Sequence, residues 1–301
     1  MSQQEDALSL LEKKLGPCVH REAEDLSRAS FDGLKVGKMP DAVVRPVSGA
    51  QVGEILEVAS EFSIPVTTRG AGSSLTGGAT PIGGGWVLDL SGLDSIEIDE
   101  GNMLANCGPG AVVEDLQKKA SAVGLFYPPD PSSKKFCTIG GNVACNAGGL
   151  RCVKYGVTRD YVLALAGFLA TGEFVRWGRA TRKFATGYNL RDLWVGSEGT
   201  LGVVTEATLR LIPQPEVRRT FLAAFSGEAS ALSAPAQLMR MGVRPSIIEF
   251  LDQWTVDCVQ QYTGKDVFPG LASHAVLLIE LDGTESSINT QSEKLLDWLG
   301  Q

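Results

Sequence analysis

The sequence TRGAGSSLTGG occupies residues 68–78 and directly follows a strand-like stretch at residues 64–68. Its small residues let several successive main-chain N–H groups point into one concavity, the kind of backbone nest that binds a pyrophosphate. Ser73 and Ser74 add hydroxyl donors, and Arg69 adds a positive charge. Taken alone, this segment is equally compatible with a plain glycine turn.

Two further segments rich in small residues follow along the chain. YPPDPSSKKFCTIGGNVACNAGG occupies residues 127–149, and its prolines stiffen an extended chain because each fixes φ and restricts the residue before it. Its Asn- and Ala-rich part carries almost no side-chain bulk, so a flat aromatic ligand could lie against the backbone there. GSEGTLGVVTEATL, at residues 196–209, again leads small residues into a predicted strand.

Three motifs that bind phosphate or carry a nucleophile are excluded by residue identity. Gly70 and Gly72 would need glycine or alanine at position 75 to form the dinucleotide fingerprint, and that residue is Leu75. Lys38 is followed by methionine and Lys265 by aspartate, so neither belongs to a P-loop. The sequence contains no Gly-x-Ser-x-Gly, which excludes the nucleophile elbow of the α/β-hydrolases.

Length and composition are those of a soluble globular protein of about two domains, at roughly 150 residues each. Of the 301 residues, 44% are apolar and 21% are charged, which excludes a disordered or collagen-like chain. The 35 glycines exceed the usual ~7% share, so we expect them in tight turns or close to a ligand. A net charge of −8 without a basic stripe predicts no nucleic-acid partner.

The N-terminal sequence lacks the positively charged and then apolar pattern of a signal peptide. The longest nearly apolar run, residues 161–171, is shorter than the ~20 residues that a bilayer span requires. The sequence therefore predicts a cytoplasmic protein without a transmembrane segment.

Cysteine and histidine usage argues against a metal site. The six cysteines form no Cys-x-x-Cys pair, which in a cytosolic chain predicts free and mostly buried thiols. The two histidines, His20 and His274, lie far apart in the sequence. We therefore expect neither a Cys/His metal centre nor a Ser-His-Asp triad.

Hydrophobic periodicity and turn residues predict an α+β protein with a boundary near Pro213 and Pro215. Before the boundary, helices are predicted at residues 6–15 and 112–123, and another is predicted to open at Ser48, which with Gln51 gives a capping-box signature and is followed by an apolar face of Val52, Ile55, Leu56 and Ala59. Strands are predicted at 42–44, 64–68, 86–90, 96–98, 103–107, 162–169, 174–177 and 200–212. The strands at 162–169 and 174–177 form a predicted hairpin. Beyond it, strands are predicted at 221–225, 247–251 and 275–281, and helices at 229–241, 254–262 and 286–299.

The three small-residue segments, in this order, resemble the FAD domain of the vanillyl-alcohol oxidase/p-cresol methylhydroxylase (PCMH) superfamily. PPDPSS, TIGGNVACNAGG, KYGVTRDYV (154–162) and GSEGTLGVVTEATL resemble the FAD-linked 2-hydroxy-acid dehydrogenases, which include D-lactate dehydrogenases and the glycolate oxidase flavoprotein subunit. The resemblance implies a PCMH-type two-subdomain FAD-binding domain at 41–214, after a helical segment at 1–40. It implies an incomplete ferredoxin-like cap at 215–301.

The resemblance also implies roles for particular residues. Residues 69–75 would wrap the FAD pyrophosphate, 129–131 and 138–142 would line the flavin and ribityl chain, and 146–149 would continue that wall. Residues 198–204 would hold the adenosine end. The implied cofactor-binding residues are Arg69, Gly70, Ala71, Gly72, Ser73, Ser74, Leu75, Gly77, Gly78, Pro129, Asp130, Pro131, Thr138, Gly140, Gly141, Asn142, Asn146, Gly148, Gly149, Gly156, Glu198, Gly199, Gly202, Val203 and Val204.

Some relatives attach the flavin covalently through a histidine in the first segment, where this sequence has Ser73. Cys137 does not have the spacing of the relatives that attach flavin through cysteine, and a small buried thiol is the favoured interpretation. We therefore expect non-covalent FAD and no metal.

In the family, a later part of the cap supplies an arginine that clamps the substrate carboxylate, and a histidine cluster helps take the hydroxyl proton. This sequence contains neither, so the catalytic residues are expected beyond Gln301, and the chain is expected to be an N-terminal part. Tyr188 and Lys183 are placed by resemblance toward the flavin's reacting side, and His274 is expected to be structural.

The implied reaction is oxidation of a small 2-hydroxy acid such as glycolate or D-lactate. Implied partners are a second flavin subunit and an iron–sulfur subunit, through which the chain would lie at the inner face of the membrane. The alternative is a complete but non-catalytic FAD-binding or electron-relay subunit. A cell-wall-precursor reductase with the same FAD fold fits KYGVTRDYV and PPDPSS less well.

Overall fold

A computed structural model describes residues 3–265 and 275–300, so the expectation for His274 lies outside the described residues. Contacts divide the chain into two compact units. The first consists of Met1–Ala147 and Val157–Pro213, and the second of Gly148–Gly156 and Gln214–Gln301.

Within the described ranges the α-helices are α1 (Gln3–Leu15), α2 (Ala23–Ala29), α3 (Gly49–Glu61), α4 (Val113–Ser121), α5 (Ile139–Cys145), α6 (Cys152–Tyr155), α7 (Leu190–Trp194), α8 (Glu228–Arg240), α9 (Gln253–Thr263) and α10 (Glu285–Leu299). The strands are β1 (Val19–His20), β2 (Ala42–Val44), β3 (Val66–Arg69), β4 (Trp86–Asp89), β5 (Ile96–Asp99), β6 (Leu104–Cys107), β7 (Leu125–Phe126), β8 (Val162–Phe168), β9 (Phe174–Gly178), β10 (Val203–Arg210), β11 (Ile212–Pro213), β12 (Val217–Phe225), β13 (Ile247–Leu251) and β14 (Ala275–Gly283).

The first unit contains a four-stranded and a five-stranded sheet. The four-stranded sheet has the order β1-β2-β4-β3, and β4 pairs in parallel with both β2 and β3. β2 and β4 are buried along nearly their whole length, as expected for strands of a covered parallel sheet. Because β3 ends at Arg69, the segment that follows begins at the carboxyl end of this sheet.

The five-stranded sheet is antiparallel, with the order β5-β6-β10-β8-β9. The predicted hairpin is confirmed, since Phe168 pairs with Phe174 and Leu165 with Trp177. β10 alternates between buried and less buried residues, the pattern of a strand with one face on a core.

Helix α3 covers the four-stranded sheet through a buried apolar stripe that includes Val52, Ile55 and Leu56. It begins at the predicted cap, where Ser48 Oγ accepts from the Gln51 N–H at 3.4 Å. The Gln51 side chain accepts from the Val47 N–H at 2.8 Å, one residue before the partner of an ideal capping box.

The second small-residue segment contains a helix that its glycines did not indicate. α5 begins after Thr138, whose Oγ accepts from the Gly141 N–H at 3.3 Å. Gly140 and Gly141 lower the intrinsic helix propensity, but Ile139 and Val143 are fully buried, and this packing outweighs the propensity. The chain leaves α5 through Asn146, which has a left-handed φ of 46°.

The second unit contains the antiparallel sheet β12-β14-β13. Helices α8 and α10 bury Leu238, Ile288 and Leu295 in one apolar cluster with residues of β14, including Leu277 and Ile279. The fold class is thus confirmed as α+β, with each unit built around a separate core.

Of the helices in the described part of the chain, none combines the length and apolar character needed to cross a bilayer.

Candidate functional site

A cleft in the first unit brings together all three small-residue segments. Its lining residues come from the turn after β3, from α5 and the residues before it, and from the turn before β10. The predicted residues among them are Gly70, Ala71, Gly72, Ser73, Ser74, Gly78, Pro131, Thr138, Gly140, Gly141, Asn142, Glu198, Gly199, Gly202 and Val204.

The turn after β3 presents main-chain donors to this cleft. Within the described residues, the N–H groups of Ala71, Gly72 and Ser73 donate to no protein acceptor, although all three residues line the cleft. Gly72 has φ +63°, and a Cβ there would lie 2.1 Å from Arg69 Nη2, so the turn requires glycine at this position. Such a row of free amides suits an anion.

Arg69 lies beneath this turn and is not among the lining residues. Its Nη1 donates to the carbonyl oxygens of Phe31 at 2.8 Å and Ala79 at 3.3 Å. Burial lowers the pKa of the Arg69 guanidinium, while the carboxylates of Asp89 and Asp32 act in the opposite direction by favouring its charged form. The charge of Arg69 is therefore engaged by the protein itself.

The start of α5 offers no comparable anion site. The N–H of Ile139 donates to Ala111 O and that of Gly140 to Pro109 O, both at 2.8 Å, and Gly141 is capped by Thr138. The first turn of this short helix is thus already satisfied by protein acceptors, unlike a free helix N-terminus. Of these two segments, the turn after β3 is therefore the one whose main-chain donors are free among the described residues.

One buried donor on α5 has no partner. Asn142 is 3% exposed and lines the cleft, yet its Nδ2 has no hydrogen-bond partner among the described residues. A buried amide left without an acceptor costs about 1–3 kcal/mol, so this donor favours a ligand that supplies an acceptor.

The turn before β10 is held against the C-terminal end of α5. The N–H groups of Gly196 and Glu198 donate to Val143 O at 3.0 Å and Ala144 O at 2.9 Å. Glu198 has φ +51°, an unfavourable conformation for a non-glycine residue that these bonds stabilise. The turn also lies close to the first segment, since a Cβ at Gly78 would be 3.6 Å from Glu198 Oε2.

Arg159 bonds both to the residue that ends α5 and to residues just before the turn that precedes β10. Its main-chain N–H donates to Asn146 Oδ1 at 2.9 Å, and its guanidinium donates to Asp192 O at 2.7 Å and Val195 O at 2.6 Å. Arg159 lies in KYGVTRDYV but was not predicted to be a site residue. Its partners are main-chain and cap groups distant in sequence, so only the motif could have drawn attention to it.

Apolar and thiol groups complete the cleft wall. Trp194, Leu90 and Pro109 line the cleft and give part of it an apolar, water-excluding surface. Cys137 and Cys145 also line it, and desolvation raises the pKa of both thiols. The charge of Glu198 raises the pKa of Cys145 further.

Other predicted residues lie outside the cleft lining. Arg69, Leu75, Gly77, Pro129, Asp130, Asn146 and Val203 belong to the first unit, and Gly148, Gly149 and Gly156 belong to the second. Tyr188 is 91% exposed, and neither it nor Lys183 lines the cleft. Trp194, Leu90, Pro109 and Cys145 also line the cleft and were not predicted as site residues. Trp194, Leu90 and Pro109 lie outside the three small-residue segments, whereas Cys145 lies within TIGGNVACNAGG.

The described residues place three groups of metal-ligating type together, on His20, Glu22 and Asp25. These residues lie at β1 and the start of α2, outside the cleft lining. Asp25 already accepts from Arg45 Nη2 at 2.7 Å, and this bond holds the pKa of the Asp25 carboxyl below its usual value. The carboxylate is thus paired by a protein cation.

Free amides, an unpartnered buried donor and an apolar wall in one cleft suit a nucleotide ligand that carries a diphosphate and an aromatic ring. FAD has both. Residues 40–178 match the family described as FAD binding domain, and residues 214–301 match the C-terminal domain of FAD linked oxidases. The chain belongs to the FAD-linked oxidases, which confirms the resemblance and FAD as the family's cofactor.

Curated relatives agree with this assignment. Glycolate oxidase subunit GlcD of Bacillus subtilis is 44% identical over 258 residues, covering 85% of this chain and 54% of that protein. D-lactate dehydrogenase of Anaerostipes hadrus is 38% identical over 268 residues, covering 86% of this chain and 56% of that protein. The chain thus spans about half the length of the curated relatives it matches.

Solved structures show the same fold. Alkyldihydroxyacetonephosphate synthase has a TM-score of 0.83 at 22% identity, covering 98% of this chain and 59% of that one. p-Cresol methylhydroxylase has a TM-score of 0.78 at 20% identity, covering 99% of this chain and 64% of that one. These likenesses confirm the PCMH-type fold predicted from the sequence.

Proposed function

We propose that this chain binds FAD non-covalently in the cleft and takes part in the oxidation of a small 2-hydroxy acid, such as glycolate or D-lactate. The observation that carries the cofactor part is the row of free amides at residues 71–73, in the same cleft as the unpartnered Asn142 Nδ2. The substrate class is supported by the glycolate oxidase and D-lactate dehydrogenase relatives.

In this proposal the cleft residues bind and orient the cofactor. The amides of Ala71, Gly72 and Ser73 hold the diphosphate, and Asn142 Nδ2 donates to a cofactor oxygen or nitrogen. Trp194 and Leu90 keep water from the enclosed part of the site. Bound FAD supplies a hydride acceptor for the CH–OH group of the substrate.

The proton acceptor for the substrate hydroxyl is proposed to come from elsewhere. The ionisable side chains among the described lining residues are Cys137, Cys145 and Glu198, and the raised thiol pKa values make both cysteines poor bases near neutral pH. We propose that the base and the carboxylate clamp belong to the part of the relatives' length that this chain does not span.

We further propose that the protein works with partner subunits, a second flavin subunit and an iron–sulfur subunit. A cytoplasmic location, at the inner membrane face through such a partner, is part of the same proposal. It is supported by the relative whose name describes a subunit of glycolate oxidase.

Titration of the cofactor-free chain with FAD tests the cofactor proposal. We expect saturable binding with a shifted flavin absorption band, because the flavin ring moves from water into the cleft. After denaturation in acid and ultrafiltration, the yellow colour should pass into the filtrate. Absence of binding would contradict the FAD site, and colour kept on the polypeptide would contradict non-covalent attachment.

Reduction of an artificial electron acceptor tests the substrate proposal. The chain extended past Gln301 should reduce a dye anaerobically with glycolate, D-lactate or D-2-hydroxyglutarate, and the preferred acid identifies the substrate. Full FAD occupancy without turnover of any hydroxy acid would favour the alternative, a non-catalytic FAD-binding subunit.

Cys145 provides an internal probe of occupancy. In the cofactor-free chain its alkylation rate should increase as pH rises through a pKa above the ordinary ~8.5, since only the thiolate reacts. FAD at 100 times its Kd should slow this alkylation by up to about 100-fold. Cys258, an exposed residue of α9 in the second unit, is the matched control and should react equally with and without FAD. Peptide mapping by mass spectrometry measures both rates, and equal protection of the two thiols would contradict the placement.

A further inference from the structure

Residues 31–33 contact the turn after β3 although they lie outside the family match at 40–178. The Gly33 N–H donates to Ser74 O at 2.8 Å, and Phe31 O accepts from Arg69 Nη1 at 2.8 Å. A third bond joins the Asp32 side chain to Gly77. We call residues 31–33 the brace. These three partners lie in the segment that presents the free amides or at its start.

Asp32 is the central residue of the brace. It is 1% exposed, and its two carboxylate oxygens accept from different segments. Oδ2 accepts from the Gly77 N–H at 2.8 Å, and Oδ1 accepts from the Leu34 N–H at 2.9 Å. The carboxylate thus ties the far end of the turn to the N-terminal part of the chain.

The positive charge of Arg69 offsets the negative charge of Asp32 beneath the turn. Asp32 interacts electrostatically with Arg69, whose guanidinium donates to Phe31 O in the brace and to Ala79 O just after the turn. Arg69 and Asp32 therefore support the turn, and the N–H groups of residues 71–73 remain free to bind a ligand.

Gly33 leaves room for this close approach. A Cβ at Gly33 would lie 2.8 Å from Ser74 O and 3.0 Å from Leu75 Cδ2. The first of these atoms belongs to the backbone, so any side chain at position 33 must displace the turn.

We propose that Asp32 is a positioning residue that sets the affinity for the diphosphate of FAD by holding residues 70–78 in their binding conformation before the cofactor arrives. The inference rests on the proposed function, which places the diphosphate at this turn. Asp32 itself would not touch the cofactor. A turn that must be ordered on binding lowers the apparent affinity by the fraction of chains already in the competent state.

Binding of FAD, ADP and riboflavin to the full chain tests this role, because ADP carries a diphosphate and riboflavin has no phosphate. In Asp32→Ala we expect Kd for FAD and ADP to rise by about 10- to 100-fold, the usual effect of losing hydrogen bonds to a charged group. Kd for riboflavin should stay within about twofold of the unchanged chain. Asp32→Asn keeps one acceptor oxygen, so its Kd values for FAD and ADP should lie between those of Asp32→Ala and those of the unchanged chain.

Asp99→Ala is the matched control. Asp99 accepts from Asn102 N–H at 2.9 Å and from Asn102 Nδ2 at 2.8 Å, and it does not line the cleft. The Asp99→Ala variant should therefore bind FAD, ADP and riboflavin with unchanged Kd values. If Asp32→Ala does not fold, Gly33→Ala tests the same contact against Gly16→Ala, where a Cβ would meet nothing within 4 Å.

The outcomes are distinct. An unchanged FAD affinity in Asp32→Ala and Gly33→Ala would overturn the inference, and so would an equal loss of riboflavin binding, which marks a merely structural role. Failure of the unchanged chain to bind FAD would overturn the proposed function and this inference with it. Selective loss of FAD and ADP binding would support both.

Discussion

Replacing Lys154 by methionine is expected to lower the free energy of unfolding of the second unit by about 3–5 kcal/mol, because it leaves a buried carboxylate without its cation. Lys154 Nζ lies 2.5 Å from Asp282 Oδ1, and the Asp282 side chain is fully buried on β14. Tyr155 Oη donates to the same oxygen at 2.8 Å, while Oδ2 has no partner among the described residues. Urea denaturation of the full chain measures the change.

Two controls separate the buried charge from the loss of lysine as such. The double variant Lys154→Met/Asp282→Leu removes both charges and should recover most of the lost stability, since apolar replacement of a buried pair is often neutral. Lys118→Met removes an exposed partner of Glu114 and should cost only about 0.3–0.5 kcal/mol. A double variant as unstable as the single one would show that the pair does not act through charge.

Replacing Gly202 by alanine should destabilise the first unit by about 3–5 kcal/mol and weaken FAD binding with it. A Cβ there would lie 2.5 Å from Phe168 O and 2.7 Å from Trp194 Cη2, and φ is +156°. The expected cost combines an unfavourable backbone conformation of about 1–3 kcal/mol with overpacking of about 1–3 kcal/mol. Because Trp194 lines the cleft, its displacement would also disturb the proposed FAD site.

Gly199→Ala is the control that measures the cost of the backbone conformation without a steric clash. Gly199 lies in the same turn with φ +77°, but a Cβ there would come no closer than 3.9 Å to Thr68. It should therefore cost about 1–2 kcal/mol, from conformation alone. Thermal unfolding and FAD titration of both variants measure the difference, and equal losses would contradict the assigned clash.

Local patterns predicted most regular elements of this protein. Two strand-like runs on either side of a turn identified the β8–β9 hairpin, and a helical stripe with Ser48 as its cap identified α3. These signals lie within a few residues of sequence, where side-chain spacing and backbone capping act. The long motifs, read as a resemblance, identified the family and its cofactor, which the matches to both domains confirm.

Helix α5 shows where local pattern failed. Gly140 and Gly141 indicated a loop, yet burial of Ile139 and Val143 and the bonds to Pro109 and Ala111 favour a helix. The partners of this helix lie about thirty residues earlier in the sequence. No short stretch of sequence therefore contains both the start of α5 and the residues that accept its hydrogen bonds.

The sequence by itself determined most of the helices and strands and the class of cofactor, because periodicity and motif are properties of neighbouring residues. Only the tertiary structure decided that Arg69 supports the turn after β3, that Asp32 and Arg159 bond to segments next to the cleft, and that Lys154 pairs with Asp282. Hydrogen bonds and ion pairs of this kind join groups 33 to 128 residues apart. Their energy depends on distance and burial in space, which the order of residues does not encode locally.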